Sequence, residues 1–452
     1  MWAPGANLDR DEPIYRASGD VQGQVVIHDD RNPVLILGSL FEFASGLELG
    51  FAEDNGVTLA VEQANQAGGI LGSNVILYRR DAGDGSDLEV PRQAAIDLIE
   101  NRGAQAILGT GWSVNALAIL EDVIVPSQVL LVSPSNTAPE LAGIDDRGWY
   151  YRVSDSESVR GAAAGFRACE GEGRTAVVIL EGDWAWVYGS VEAFERAFGS
   201  CGGTVLRTVV FNGDPAQAIS EALAPGSGGE TPDTVFLAFF GLFSDSTSMR
   251  DFFHGAICTV AADGQRASDR YWIHNQELES WYRPELLTGN PCGVDQGSVM
   301  ADFAGHESVG PAFDYDFGSQ AFWSDFVNQS GQPPSIFANL AYDTAALVML
   351  AAEEAGSVDP VEIRDHLISV STGGEPVAVL CNALIMVRNG VDIDWQGTFE
   401  RSVGDISYQI DHDFEASGET ISPYFISQIQ ENGTLRIVDW LMDEDVSGAY
   451  QP

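Results

Sequence analysis

Between residues 34 and 140 the chain alternates short apolar runs with stretches in which apolar residues recur at helical spacing. The runs predict strands, and the spaced residues predict helices. Strands are predicted at residues 34–40, 74–78, 104–108 and 129–133, and helices at residues 56–67, 91–101 and 115–124. Gly68 and Gly69 end the first of these helices, and Pro91 opens the second. This alternation predicts a parallel sheet covered by helices.

A second series of the same plan begins after residue 152. It predicts helices at residues 158–169, 189–200, 215–223 and 246–254, and strands at residues 175–180, 204–210, 233–239 and 271–273. Two later helices, at residues 337–354 and 360–369, resemble the first series and are expected to return to it. Runs at residues 406–410 and 424–429 flank a turn at 411–419, and we expect them to form a hairpin that closes the second lobe.

Together the two series predict an α/β protein with two Rossmann-like, doubly wound lobes joined by a multi-crossover hinge. The first lobe is expected to comprise residues 33–152 and about 300–372, and the second residues 153–299 and about 373–445. A chain of 452 residues exceeds one ordinary core, which agrees with two domains. Residues 1–32 are polar and predict a tether, without the apolar segment of a signal peptide.

The formal charge of −45 at pH 7 is extreme, and all 22 basic residues are arginines. Such a surface repels nucleic acid and anionic lipid, because both need basic patches for binding. A solvated acidic coat, from adaptation to salt or a genome bias towards arginine, accounts for this charge. A field that steers a cationic ligand is the alternative. The sequence has no apolar stretch of the roughly 18 to 20 residues that a membrane span requires.

The five cysteines form no C-x-x-C pair, so neither a zinc site nor thioredoxin-like chemistry is expected. Cys169 and Cys201 lie at predicted helix ends around one βα unit, and Cys258 and Cys292 bracket the next. In an oxidising compartment these pairs predict two disulfides and leave Cys381 free. Five buried thiols are the alternative.

Two loops, at residues 109–113 and 133–137, follow predicted strands of the first series. Open α/β folds bind ligands at the carboxyl ends of parallel strands, so both loops are candidates for holding a small ligand with N–H groups and hydroxyls. No nucleophile–base pair, metal cluster or G-x-S-x-G motif accompanies them, which predicts binding without catalysis, metal or cofactor. The first loop lacks the third glycine of a dinucleotide-binding fingerprint. Alternatively, Ser113 and Thr137 serve only as helix caps.

Residues 56–72 (GVTLAVEQANQAGGILG) and 133–141 (SPSNTAPEL) resemble the type I periplasmic binding proteins, specifically the branched-chain amino acid (Leu/Ile/Val-type) substrate-binding proteins of ABC transporters. The resemblance covers about residues 33–440. It implies three crossovers and a small polar ligand, an amino acid or related amide, clamped in an interlobe cleft by hinge closure. It implies a non-enzymatic protein of the periplasm or extracytoplasmic space that delivers its ligand to an ABC permease. Membrane contact would be limited to an N-terminal lipid anchor. The alternative is a ligand-sensing receptor ectodomain or regulatory subunit of the same fold.

The resemblance also implies a set of ligand-binding residues. The set comprises Trp112, Ser113, Ser135, Asn136 and Thr137 in the first lobe, and Glu157, Tyr188, Phe243, Gln276 and Glu277 in the second. First-lobe hydroxyls and N–H groups would hold the ligand's carboxylate, since such donors bind an anion without a counter-charge. Second-lobe aromatic side chains would close over the ligand, an acidic residue would meet its ammonium group, and Glu157 occupies a hinge-side acidic position.

Three positions depart from the family pattern. Trp112 fills a place usually held by a smaller residue, so it reshapes the pocket wall. Phe243 lacks the hydroxyl that many members have there. If Gln276 rather than Glu277 occupies the acidic position, the ammonium group loses its counter-ion. Tyr188 as a packing residue and Glu277 as a solvated surface charge are the alternatives to their binding roles.

Overall fold

The computed structural model describes residues 32–45, 49–171, 173–181, 185–238, 246–275, 303–311, 319–398, 401–403, 406–408, 414, 418, 420 and 424–441. The chain divides into two compact units. Unit 1 comprises Met1–Thr137, Leu141–Asp155 and Asp316–Ser422, and unit 2 comprises Ala138–Glu140, Ser156–Tyr315 and Pro423–Pro452. Apart from the short segment 138–140, the chain passes from one unit to the other after residues 155, 315 and 422.

The main sheet of unit 1 is parallel, as the sequence predicted, and it has a fifth strand in addition to the four predicted ones. In chain order they are β1 (Ile36–Phe41), β2 (Ile76–Asp81), β3 (Ala106–Gly109), β4 (Leu130–Ser133) and β5 (Tyr150–Arg152). Their order across the sheet is β2-β1-β3-β4-β5. The chain therefore leaves β1 in one direction along the sheet and later continues from β3 in the other, which is the doubly wound arrangement.

The helices of unit 1 come from two distant parts of the sequence. They are α1 (Leu49–Gln66), α2 (Glu89–Ile96), α3 (Ser113–Ile119), α4 (Val125–Ser127), α9 (Gln320–Ser330), α10 (Ala338–Ala355), α11 (Pro360–Ser371) and α12 (Leu380–Arg388). Helix α10 is buried at every position from 338 to 352 and packs against α1. A Cβ atom on Gly56 of α1 would lie 2.0 Å from the Ala338 carbonyl oxygen, so glycine allows the two helices to approach closely.

Helix α1 begins at Leu49 rather than at the predicted residue 56, and it therefore includes Glu53 and Asp54. Asp54 is fully buried, forms an ion pair with Arg79 of β2, and accepts a hydrogen bond of 2.6 Å from the Ser39 hydroxyl of β1. These partners offset the cost of burying a carboxylate. The helix can consequently present acidic residues to the sheet, a feature that apolar spacing does not signal.

Two short pairs of strands complete unit 1. Strands β11 (Glu375–Val377) and β12 (Ile393–Trp395) are parallel, and strands β13 (Arg401–Val403) and β14 (Ile406–Tyr408) are antiparallel. Across the described residues, no helix combines the length and apolar character that crossing a membrane requires.

Unit 2 contains a seven-stranded mixed sheet of order β16-β15-β10-β9-β8-β6-β7. Its strands are β6 (Thr175–Glu181), β7 (Thr204–Phe211), β8 (Thr234–Ala238), β9 (Tyr271–His274), β10 (Glu307–Pro311), β15 (Tyr424–Ile429) and β16 (Leu435–Leu441). Its helices are α5 (Glu157–Glu170), α6 (Ala185–Ser200), α7 (Pro215–Ala222) and α8 (Ser246–Cys258). Strands β6 to β10 are parallel to one another, and β15 and β16 are added antiparallel at the β10 edge.

One predicted disulfide is present in unit 2. Cys169, in the last turn of α5, is bonded to Cys201, which follows α6. Cys258 is also disulfide-bonded, and its predicted partner Cys292 lies outside the described residues. Cys381 is free, as predicted.

The predicted hairpin between residues 406–410 and 424–429 is wrong. Strand β14 pairs with β13, whereas β15 pairs with β10 and β16. The turn that sets this pairing is Asn432-Gly433, where Gly433 has a φ of +76° and the Gln430 N–H donates to the Thr434 carbonyl at 2.8 Å. Asn-Gly between two alternating runs favours a tight hairpin, so the sequence did carry the signal.

Two of the expected domain boundaries also differ from the observed units. Residues 303–315 belong to unit 2, because β10 lies between β9 and β15 in its sheet. Residues 373–422 belong to unit 1, because α12 packs against α1 and α10.

Candidate functional site

Three loops of unit 1 follow neighbouring parallel strands and therefore meet at one edge of the sheet. They follow β1, β3 and β4, which are adjacent in the strand order. The chain changes direction along the sheet between β1 and β3, and ligands of open α/β folds bind at such switch points. This edge, which comprises Glu42, residues 110–113 and residues 134–137, is termed the unit 1 loop edge.

The carboxylate of Glu42 organises the loop after β3. One of its oxygens accepts a hydrogen bond of 3.0 Å from the Gly111 N–H. The other accepts one of 3.0 Å from the Trp112 N–H and one of 2.8 Å from the Asn115 side-chain amide. Glu42 is 1% exposed, so these three bonds replace its hydration. Two N–H groups of the predicted ligand loop are thus bound to a protein carboxylate.

A second buried carboxyl group, that of Glu53 in α1, reaches the same place. The Ser135 hydroxyl donates a hydrogen bond to its Oε1 atom and lies 3.1 Å from the Gly111 carbonyl oxygen. A Cβ atom on Gly111 would lie 2.6 Å from Glu42 Oε2 and 2.7 Å from Glu53 Oε2. Both carboxyl groups therefore converge on Gly111, which must remain without a side chain.

Burial controls the ionisation of both groups. Desolvation raises the pKa of Glu42 to about 7, although the hydrogen bonds from Asn115, Trp112 and Gly111 act in the opposite direction. Desolvation, followed by repulsion from Glu42, raises the pKa of Glu53 well above its usual value, and the bond from Ser135 offsets little of this.

Asn136 connects the loops after β3 and β4. Its side-chain amide donates to the carbonyl oxygens of Thr110 at 2.8 Å and Gly111 at 3.2 Å. Its backbone N–H donates to the Ser133 hydroxyl, and its carbonyl oxygen accepts from Arg152 at 3.0 Å. Asn136 is fully buried, so these bonds fix the geometry of the two loops relative to each other.

The unit 1 loop edge brings together all five predicted first-lobe residues. Ser135 and Asn136 are buried within the loop network, whereas Trp112, Ser113 and Thr137 are half-buried. Ser113 begins α3, and Trp112 precedes it with an extended backbone.

Of the predicted second-lobe residues, the structure describes two. Glu157 begins α5 and is buried, with its carboxylate 3.6 Å from the Arg160 guanidinium. Tyr188 lies in the first turn of α6 and is half-buried. These helices touch where a Cβ atom on Gly161 would lie 2.0 Å from the Ser190 carbonyl oxygen. The other three predicted residues, Phe243, Gln276 and Glu277, lie outside the described residues.

Sequence reasoning missed Glu42 and Glu53. Glu42 directly follows an apolar strand, which is the same signal that identified the other two loops. Glu53 had no such signal, because its helix was expected to begin after it. Among the described residues, no group of three or more His, Cys, Asp and Glu side chains is placed to hold a metal ion.

The chain resembles proteins of known class. A family profile described as "Periplasmic binding protein" matches residues 44–243. A relative in Halobacterium salinarum, the "Chemotactic signal transduction system substrate-binding protein BasB", is 26% identical over 89% of this chain and 88% of its own length. The "Leucine-, isoleucine-, valine-, threonine-, and alanine-binding protein" of Pseudomonas aeruginosa is 24% identical over 69% of this chain and 76% of its own.

A solved structure shares the fold. The solute-binding protein of an ABC transporter from R. palustris, in complex with 4-hydroxybenzoate, superposes with a TM-score of 0.60 at 16% identity. The match covers 92% of this chain and 99% of that protein.

Proposed function

Because the chain belongs to the type I periplasmic binding proteins, of the same type as its Leu/Ile/Val-binding relatives, we propose that it captures a small polar ligand outside the cytoplasm and delivers it to an ABC permease. The proposed ligand is an amino acid or related amide, clamped between the two lobes by hinge closure. The observation that carries the proposal is the unit 1 loop edge, where half-buried donors lie at the switch point of a doubly wound sheet.

We propose that Ser113 and Thr137 provide the hydroxyl and N–H donors for the ligand's carboxylate. Their half-buried state supports this assignment, since a ligand needs access to the donors before it can desolvate them. Ser135 and Asn136 would hold the two loops in position without contacting the ligand, and Trp112 would form part of the pocket wall. In unit 2 the proposal assigns Tyr188 and Phe243 to closure over the ligand, Gln276 or Glu277 to its ammonium group, and Glu157 to the hinge side.

A thermal-shift screen of amino acids, their amides and aromatic carboxylates tests this function. A ligand at about 100 times its Kd adds about 2.7 kcal/mol of stability, which raises the Tm by several degrees. We expect Thr137→Ala to abolish the shift for the best ligand, whereas Thr204→Ala, at an exposed position on β7, leaves it unchanged. A screen without any shift, or a shift that survives Thr137→Ala, would contradict the ligand class or the site.

The second candidate function is ligand sensing. It is favoured by the relative whose printed name places it in chemotactic signal transduction, since that match spans most of both chains. A deletion strain distinguishes the two functions. Loss of radiolabelled ligand uptake with normal swimming responses supports transport, whereas loss of the swimming response with normal uptake supports sensing.

A further inference from the structure

The two buried carboxyl groups at Gly111 differ in their hydrogen-bond partners. Glu42 accepts from three N–H donors, whereas the Oε1 atom of Glu53 accepts from one hydroxyl. Within the described part of the chain, the Oε2 atom of Glu53 has no hydrogen-bond partner, although Glu53 is fully buried. This oxygen borders the same position beside Gly111 as Glu42 Oε2. An oxygen buried there without a donor is costly unless it carries a proton itself.

In the described part of unit 1, the charged groups on neighbouring elements have partners of their own. Asp54 of α1 is paired with Arg79 of β2, and Asp81 at the end of β2 accepts from the Phe43 N–H at 3.0 Å. Arg152 of β5 donates to the Asn136 carbonyl, and Asp343 of α10 accepts from the N–H and hydroxyl of Thr398. Among the described residues, a second negative charge at Gly111 would therefore be stabilised only by the donors that already bind Glu42 and Glu53.

We propose that Glu42 and Glu53 hold one proton between them, carried on Glu53 Oε2 and shared with Glu42 Oε2, and that the pair positions both ligand-binding loops. Glu42 fixes the loop after β3 through two backbone N–H groups, and Glu53 fixes the loop after β4 through the Ser135 hydroxyl. This role rests on the proposed function of those loops. When the proton leaves to solvent in alkaline solution, two carboxylates face each other and the loops separate, so ligand affinity falls.

The choice of variants follows from the hydrogen bonds. Glu53→Gln keeps an acceptor for Ser135 and places an N–H donor towards Glu42, so it imitates the protonated acid. Glu42→Gln replaces one acceptor oxygen with an NH2 group, and each of the two oxygens already accepts from at least one N–H donor, so the variant disrupts the loop after β3. We therefore expect Glu53→Gln to be tolerated and Glu42→Gln to be damaging, with Glu100→Gln, an exposed acid of unit 1, as the matched control.

The first measurement needs no ligand. Infrared spectra of the whole protein above pH 7 should contain the carbonyl band of a protonated carboxylic acid. That band should persist in Glu100→Gln and disappear in Glu53→Gln. A wild-type spectrum without the band overturns the shared proton. The shared proton is also overturned if Na⁺ stabilises the wild type but not Glu53→Gln, because a bound cation would then occupy the proton's place.

The second measurement uses L-leucine as the probe. In the wild type, affinity should fall by about tenfold per pH unit once the pair loses its proton, and in Glu53→Gln it should stay constant over the same range. Equal alkaline losses in both proteins overturn the positioning role. Failure of L-leucine to bind either protein at any pH contradicts the proposed amino acid ligand instead, and the infrared result still decides whether the proton is shared.

Discussion

Acidification should weaken unit 2 through two buried histidines. His274 and His306 lie in an aromatic cluster with Trp272, Phe253 and Phe303. Burial lowers the pKa of each histidine from 6.5 to about 3. The neutral form is thus favoured in the folded state, so the stability is present above pH 6.5 and is lost as the pH falls towards 3.

The magnitude follows from this difference. At pH 5 the unfolded chain gains protonation free energy that the folded chain does not, which costs about 2 kcal/mol per histidine relative to neutral pH. This cost at pH 5 is nearly the same for a folded-state pKa of about 3 or about 4, because each of these pKa values lies below the pH of the measurement. The two histidines together should cost about 4 kcal/mol.

His274→Phe is the cleanest variant, because the Nε2 atom of His274 has no hydrogen-bond partner among the described residues, whereas that of His306 lies 3.1 Å from the Ser268 carbonyl oxygen. Urea unfolding, followed by tryptophan fluorescence at pH 7 and pH 5, measures both proteins. The wild type should lose about 2 kcal/mol more between these conditions than the variant. Glu42 makes an opposing contribution, because its raised pKa favours the folded state as the pH falls. Since Glu42 is present in both proteins, this contribution cancels when the two losses of stability are compared.

His366→Phe, at a partly exposed position in α11 of unit 1, is the control and should lose as much as the wild type. If His274→Phe also loses as much as the wild type, water or a protonated partner already reaches His274, and the argument from burial is refuted.

Two further predictions concern packing and covalent structure. Replacing Cys169 and Cys201 by serine removes a cross-link with a sequence separation of 32, which should cost about 3.7 kcal/mol in unfolding experiments without reductant; an unchanged wild-type stability after full reduction would contradict this. Gly56→Ala should cost about 1–3 kcal/mol, because the new Cβ atom meets the Ala338 carbonyl oxygen. Gly199→Ala, with open space around its Cβ position, should be neutral or stabilising by up to about 1 kcal/mol, and equal thermal shifts for the two variants would refute the packing argument.

Periodicity was sufficient to predict the α/β class and most elements, because parallel strands buried on both faces read as continuous apolar runs. It failed where tertiary partners replace local preference. The early part of α1 buries Asp54, which forms an ion pair with Arg79 of β2 and accepts a hydrogen bond from Ser39 of β1. A pattern search along the sequence has no access to such pairings.

The candidate site was predictable to a similar extent. The loops after β3 and β4 follow from chain order, because carboxyl ends of parallel strands share an edge. Which donors in these loops are engaged by Glu42 and Glu53 depends on distances between segments far apart in sequence. The Asn432-Gly433 turn, by contrast, is a local sequence signal for the hairpin of β15 and β16.

The interleaved order of the two units has a consequence for biosynthesis. Strand β5 completes the main sheet of unit 1 at Arg152, but α10, which is buried against α1, ends at Ala355. Between these points the ribosome adds roughly 200 residues, which takes about 10 to 40 s at ordinary rates of synthesis. During that interval the apolar face that α10 will cover is exposed on the nascent chain. A chaperone that binds unfolded chains, or export before folding, would protect this protein from aggregation during that interval.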